Sequence, residues 1–130
     1  MVFGSITKGL AMLETITLTA GEMTVTVSPG LGGRITRFAR AGVDLFTPVE
    51  DDAIDPSGAI SGGCYPLVPW SNRIRDSRFN FEGTPVSLTP TETATGSAIH
   101  GHGSRQAWTV AGVAGESVRL TYLHAAGAEG

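Results

Sequence analysis

Between Gly62 and Asp76 the chain runs Gly-Gly-Cys-Tyr-Pro-Leu-Val-Pro-Trp-Ser-Asn-Arg-Ile-Arg-Asp, and Trp70, Asn72 and Arg73 fall within four residues of one another. An aromatic face, a carboxamide and a forked guanidinium are the groups a sugar ring asks for. The ring's C–H side stacks on the aromatic, and its hydroxyl oxygens accept from planar donors. A purely structural alternative has Trp70 in the core and Arg73 paired with Asp76 or Asp44. Pro66 and Pro69, three apart, suit an extended or edge segment and oppose a central strand.

Ile99-His100-Gly101-His102-Gly103 is the second cluster. On an extended strand His100 and His102 share one face, and the glycines admit close approach by backbone or ligand. An imidazole with a pKa near its unperturbed ~6.5 can serve as acid, base or hydroxyl partner. Two histidines on one face also amount to half of a Zn or Cu site. A third ligand would have to come from His124, Cys64 or a carboxylate, and no metal is expected. In the structural alternative one histidine is hydrogen-bonded within the fold and the other is exposed.

Other candidates carry less. Cys64 has no Cys–His spacing for a nucleophile and is expected to be a small buried residue. Gly30 to Gly33 lacks the Gly-Lys-Ser/Thr ending and the following helix of a phosphate loop. Glu14, Glu22, Glu82, Glu92, Glu116 and Glu129 sit at turns or edges and are expected to act as solubility charges. Glu50, Asp51, Asp52 and Asp55, in the stretch Pro48–Gly63, read as a solvated loop whose spacing does not fit the twelve-residue calcium loop. Pro90 to Ser97 reads as a polar, Thr-rich loop with nothing catalytic in it.

The elements that must hold these groups are short and β-rich. Ile16–Thr19 and Met23–Val27 alternate around Ala20-Gly21-Glu22, the signal for a hairpin. Pro29–Gly33 breaks the pattern, Arg34–Phe38 resumes it, and Ala41-Gly42 turns into Val43–Phe46. Arg78–Phe81 and Val86–Leu88 flank Glu82-Gly83. Gln106–Val110 and Ser117–Tyr122 complete the series, with Val118, Leu120 and Tyr122 on one face. No dozen-residue window carries helical periodicity free of Gly or Pro. The expectation is an all-β, antiparallel β-sandwich built as one domain over residues 1–130.

Composition narrows the function. With 130 residues, 41% apolar and 16% charged, the chain has material for one core and is too apolar for disorder. Its 18 glycines are about twice the usual ~7%, without the strict period of collagen. Nine Lys and Arg against twelve Asp and Glu leave a net charge of −3 and no basic field for nucleic acid. No apolar run approaches the ~18 residues of a membrane helix. The opening stretch, Met1 to Leu18, lacks a signal-peptide pattern, and a lone cysteine forms no internal disulfide. A cytoplasmic location follows as the expectation.

Taken together, Pro-Leu-Val-Pro-Trp-Ser-Asn-Arg-Ile-Arg at 66–75, Arg78-Phe79-Asn80-Phe81-Glu82-Gly83, Ile99-His100-Gly101-His102-Gly103 with Trp108 after it, and Gly30-Leu31-Gly32-Gly33-Arg34-Ile35 resemble the aldose 1-epimerase (galactose mutarotase) family, in its N-terminal portion. The resemblance implies an antiparallel β-supersandwich with an open groove for a free hexose. It also implies cofactor-free interconversion of α and β anomers: a carboxylate takes the anomeric proton, a histidine protonates the ring oxygen, and the ring opens and recloses. By matching position Arg73 binds sugar hydroxyls, His100 is a supporting histidine near the ring oxygen, and Asn72 and Trp70 shape the wall. The family's acid histidine in a later Asn-His segment and its base glutamate have no match here; neither His124 nor Glu129 stands in the right context. The expectation is therefore an incomplete domain, inactive by itself, with uncovered sheet edges that favour self-association. The alternative is a non-catalytic β-domain that binds a carbohydrate or sugar phosphate.

Overall fold

The computed structural model describes residues 14–50, 53 and 60–125. The opening segment before Glu14, Asp51, Asp52 and Asp55 of the carboxylate loop, and Glu129 lie outside the described residues. The alternating runs do become strands. Ile16–Ala20 (β1) and Met23–Ser28 (β2) form an antiparallel hairpin from Ile16 opposite Val27 to Ala20 opposite Met23. Its two-residue turn is the one expected from Gly21. Along β1 the half-buried Ile16, Leu18 and Ala20 alternate with exposed threonines, so one face turns inward.

A 3-10 turn at Pro29–Leu31 reverses the chain into Arg34–Arg40 (β3), and Val43–Asp44 (β4) adds the last strand of a sheet ordered β1-β2-β3-β4. The β2–β3 register slips by one residue between Thr26 and Val27. The remaining strands pair in twos: Arg73–Ile74 (β5) with Ala98–Ile99 (β8), Arg78–Phe81 (β6) with Thr84–Ser87 (β7), and Thr109–Ala114 (β9) with Ser117–Thr121 (β10). Among the described residues every named strand pair is antiparallel, and one isolated bridge, Val68 with Gly101, is parallel. The fold is all-β, and among the described residues the only helical elements are three-residue 3-10 turns. No helix there is long and apolar enough to cross a membrane.

The core is small. Val27, Ala39, Leu88 and Ala98 are its buried apolar residues, with Ser28, Ser77 and Ser97 buried beside them. Trp108 ties the four-stranded sheet to the last hairpin. Its backbone N–H donates to Pro29 O at 2.9 Å, its indole N–H donates to Gly103 O at 2.8 Å, and its ring lies 5.6 Å from Tyr122. That anchoring corrects one boundary: Gln106–Trp108, expected to be strand, precede β9, because the Trp108 N–H is committed to the Pro29 turn. Val118, Leu120 and Tyr122 are half-buried between exposed neighbours, as their alternation requires.

Candidate functional site

The segment Val68–Ile74 is laid along Ala98–Gly103 by backbone hydrogen bonds. Val68 O accepts from the N–H groups of His102 and Gly103 at 2.7 and 3.0 Å, while Arg73 stands opposite Ile99 and Ile74 opposite Ala98. Between these two anchor points Asn72 and His100 bond to each other. The Asn72 N–H donates to His100 Nδ1 at 2.9 Å, and the His100 N–H donates to Asn72 O at 3.0 Å. Both residues hold left-handed backbone, φ 64° and 61°, a region Asn and His enter more readily than most side chains. Because Nδ1 accepts, the imidazole proton sits on Nε2, leaving one free N–H donor.

Arg73 leaves this ladder with its guanidinium held on Glu92: Nε donates to one carboxylate oxygen at 2.6 Å and Nη2 to the other at 2.5 Å. The Thr95 hydroxyl donates to the same carboxylate. Hydrogen bonds from Arg73 and Thr95 pull the Glu92 carboxyl down to about 2 from an ordinary 4.5, and Glu92 in turn raises the Arg73 pKa. The partner is neither Asp76 nor Asp44, the two weighed from the sequence. Asp44 belongs to Arg37 at 2.6 Å, and Glu92 is not a free solubility charge. Pro90–Ser97 is a loop, but a tethered one. Glu92 N–H donates to Ser97 O at 3.0 Å, and the Thr91 hydroxyl accepts from the Ile99 N–H at 2.9 Å.

His100, Glu92, Thr91, Tyr65, Arg34, Ile99, Ser104 and Arg105 line a cleft of about 320 Å³ together with Ile60. Its back is Arg34, only 4% exposed, whose guanidinium carbon lies 4.1 Å from the Tyr65 ring centre and whose Nη1 donates to Gly62 O at 2.7 Å. Burial pulls the Arg34 pKa below its ordinary value, and its Nε has no protein partner. The Tyr65 ring meets His100 edge-on at 6.2 Å. Arg105 closes one side by donating from Nη1 to Ile99 O and Gly101 O at 3.3 and 3.0 Å. The cleft thus offers donors from Arg34, Arg105 and His100 and acceptors from Glu92, Thr91 and Ser104, a mixture suited to a polyhydroxylated molecule.

Two expectations change here. His100 and His102 do not share a face. The strand ends at Ile99, and two successive left-handed residues, His100 and Gly101 (φ 64°), cancel the two-residue alternation. His102 turns to a neighbouring cleft of about 480 Å³ that also contains His124, Tyr122, Gln106 and Arg105. There its ring stacks on His124 at 4.5 Å, and Trp70 meets it edge-on at 5.4 Å. So Asn72 and His100 bond directly and Arg73 follows in the strand opposite Ile99, but of the three only His100 lines the cleft, and Trp70 stands on the His102 side. Cys64, expected buried, is exposed. Its backbone bridges Ile35 in both directions, at 2.8 and 2.9 Å, which fixes the chain without enclosing the thiol. Among the described residues no three His, Cys, Asp or Glu side chains gather as a metal site would need.

Tyr65, Arg34, Thr91, Glu92 and Arg105 were not candidates on spacing. One signal for Glu92 existed: Gly96, at φ 65°, turns the loop back into the strand Ala98–Ile99 that leads to His100.

Short antiparallel ladders frame an open polar cleft, and the fold is that of galactose mutarotase-like proteins. The chain belongs to the aldose 1-epimerase family, whose model matches residues 14–130. It is 31% identical over 111 residues to the uncharacterised protein YphB of Escherichia coli K12, covering 85% of this chain and 37% of that protein. With YihR of the same organism it shares 26% over 110 residues, covering 83% and 33%. The crystal structure of a candidate aldose 1-epimerase from Escherichia coli K12 superposes with a TM-score of 0.75 at 30% identity, over 88% of this chain and 38% of that one. A galactose mutarotase-like protein from Clostridium acetobutylicum shares the fold, with a TM-score of 0.61 at 19% identity over 83% and 34%. The chain thus spans little more than a third of the length of the relatives it matches.

Proposed function

We propose that this chain carries the sugar-recognition groups of an aldose 1-epimerase that interconverts the α and β anomers of a free hexose. In this proposal the Arg73 guanidinium donates to ring hydroxyls and the Nε2–H of His100 faces the ring oxygen. Asn72 fixes both, and Trp70 shapes the adjoining cleft through His102. The supporting observation is the reciprocal pair of hydrogen bonds between Asn72 and His100, which sets imidazole and guanidinium on one short ladder although 27 positions separate them. A guanidinium stays protonated at every working pH and can only donate. Arg73 is therefore a binding group and not a proton carrier.

Ring opening needs a base at the anomeric hydroxyl and an acid at the ring oxygen, each contributing roughly 10²–10⁴-fold. The family segments that supply them have no match in this sequence. The chain alone is expected to bind hexose in the cytoplasm and to turn it over poorly, and to self-associate through its exposed strands. Binding is tested by titrating glucose or galactose while following tryptophan fluorescence. Hydrogen bonds to a charged group contribute about 1.5–3 kcal/mol, so Arg73→Ala should weaken binding roughly ten- to a hundredfold. Catalysis is tested by polarimetry on freshly dissolved α-D-glucose and α-D-galactose, using the polypeptide encoded by the whole reading frame. An unaltered decay of optical rotation with both sugars would rule out the epimerase.

A further inference from the structure

We propose that Glu92 is a positioning residue for sugar recognition: it fixes the Arg73 guanidinium so that one donor edge stays free for the ligand. This rests on the hexose-binding function proposed above and goes beyond it by naming the residue that sets the geometry of the guanidinium. A guanidinium has five N–H bonds in a fixed plane, arranged as a side edge of Nε and Nη2 and an end edge of Nη1 and Nη2. Glu92 occupies the side edge with both carboxylate oxygens. Asn72 Oδ1 accepts from the Arg73 backbone N–H at 2.9 Å and from one N–H of Nη1 at 3.4 Å. The second N–H of Nη1 and the second N–H of Nη2 remain as a pair of donors, matched to two vicinal hydroxyl oxygens.

Glu92 is itself held. The Thr95 hydroxyl donates to its carboxylate, its backbone is bonded to Ser97, and neighbouring Thr91 is bonded to Ile99 beside His100. The guanidinium is thus tied to Ile99, the residue before His100, through a route separate from the β5–β8 ladder. Without Glu92, an arginine side chain on an exposed strand residue samples many rotamers, and ordering it on binding costs affinity. Exposed ion pairs contribute little to folding, so this pair is better accounted for by orientation than by stability.

The test compares wild type with Glu92→Gln, which keeps an oxygen acceptor and loses the charge, and with Glu22→Gln, which removes an ion pair to Arg40 far from the cleft. Two readouts are taken: the Arg73 Nε–H resonance by ¹⁵N NMR and the hexose dissociation constant by fluorescence. Expected are a slowly exchanging Nε–H signal in wild type that is lost in Glu92→Gln, and an affinity about tenfold weaker, with Glu22→Gln matching wild type and all three folded at the temperature of the measurement. A wild-type Arg73 signal in fast exchange overturns the proposal whatever the sugar does. So does an unchanged affinity in Glu92→Gln. If wild type binds no hexose but the resonance behaves as expected, the proposed hexose binding fails, while the fixing of the Arg73 guanidinium by Glu92 stands.

Discussion

At the scale of single residues, the Arg73–Glu92 pair sets the local electrostatics. The Glu92 carboxyl sits at about 2 in the folded chain against an ordinary 4.5. A depressed folded-state pKa means that the unfolded chain binds the proton more tightly. The pair's contribution is therefore complete above the unfolded value of 4.5 and disappears as pH falls through about 2. The expected outcome is a ¹³C carboxyl titration of Glu92 with its midpoint near 2. In Arg73→Ala the midpoint should move back up toward the ordinary carboxylate range, because the first cause of the shift, the Arg73 hydrogen bonds, is gone. A Glu92 titration that ignores the Arg73 substitution would show the ion pair to be absent in solution. Nothing near neutral pH should change this pair, so hexose binding measured between pH 5 and 8 should owe no pH dependence to Glu92.

At the scale of elements, the site depends on how closely two chain segments approach. Gly101 has φ 64°, and a methyl group built on it would lie 2.0 Å from Val68 O, on backbone that cannot swing aside. Gly83, in the β6–β7 turn, has φ 82° with nothing within 4 Å of such a methyl group. Both positions charge an L-residue the left-handed penalty of about 1–2 kcal/mol. Only Gly101 adds a collision, which must push Val68 away and loosen the hydrogen bonds to His102 and Gly103. Urea denaturation of Gly83→Ala should thus show a loss of about 1 kcal/mol, and Gly101→Ala a loss of about 3 kcal/mol or more with weakened hexose binding. Equal losses in the two variants would mean that Val68 does not in fact abut Gly101.

At the scale of the whole molecule, apolar side chains stand on open ladders: among the described residues Phe81 is 61% exposed and Val113 53% exposed, each on a strand of a two-stranded ladder. Surfaces of this kind recruit a partner. Purified by itself, the chain should enhance the fluorescence of a hydrophobic dye and sediment as species larger than 13.5 kDa. A dye-silent monomer would show that these strands are already covered. What the sequence determined alone was local: period-two alternation set which runs are strands, and turn residues such as Gly21 and Gly83 set where they reverse. Those features follow from backbone sterics within a few residues, so neighbours along the chain suffice to read them. Only the tertiary structure decided that Glu92 holds Arg73, that His102 and Trp70 turn away from His100, and that Cys64 is exposed. Side-chain direction beyond a left-handed residue, and the partner of a loop carboxylate, depend on contacts made across tens of residues. No periodicity records such contacts.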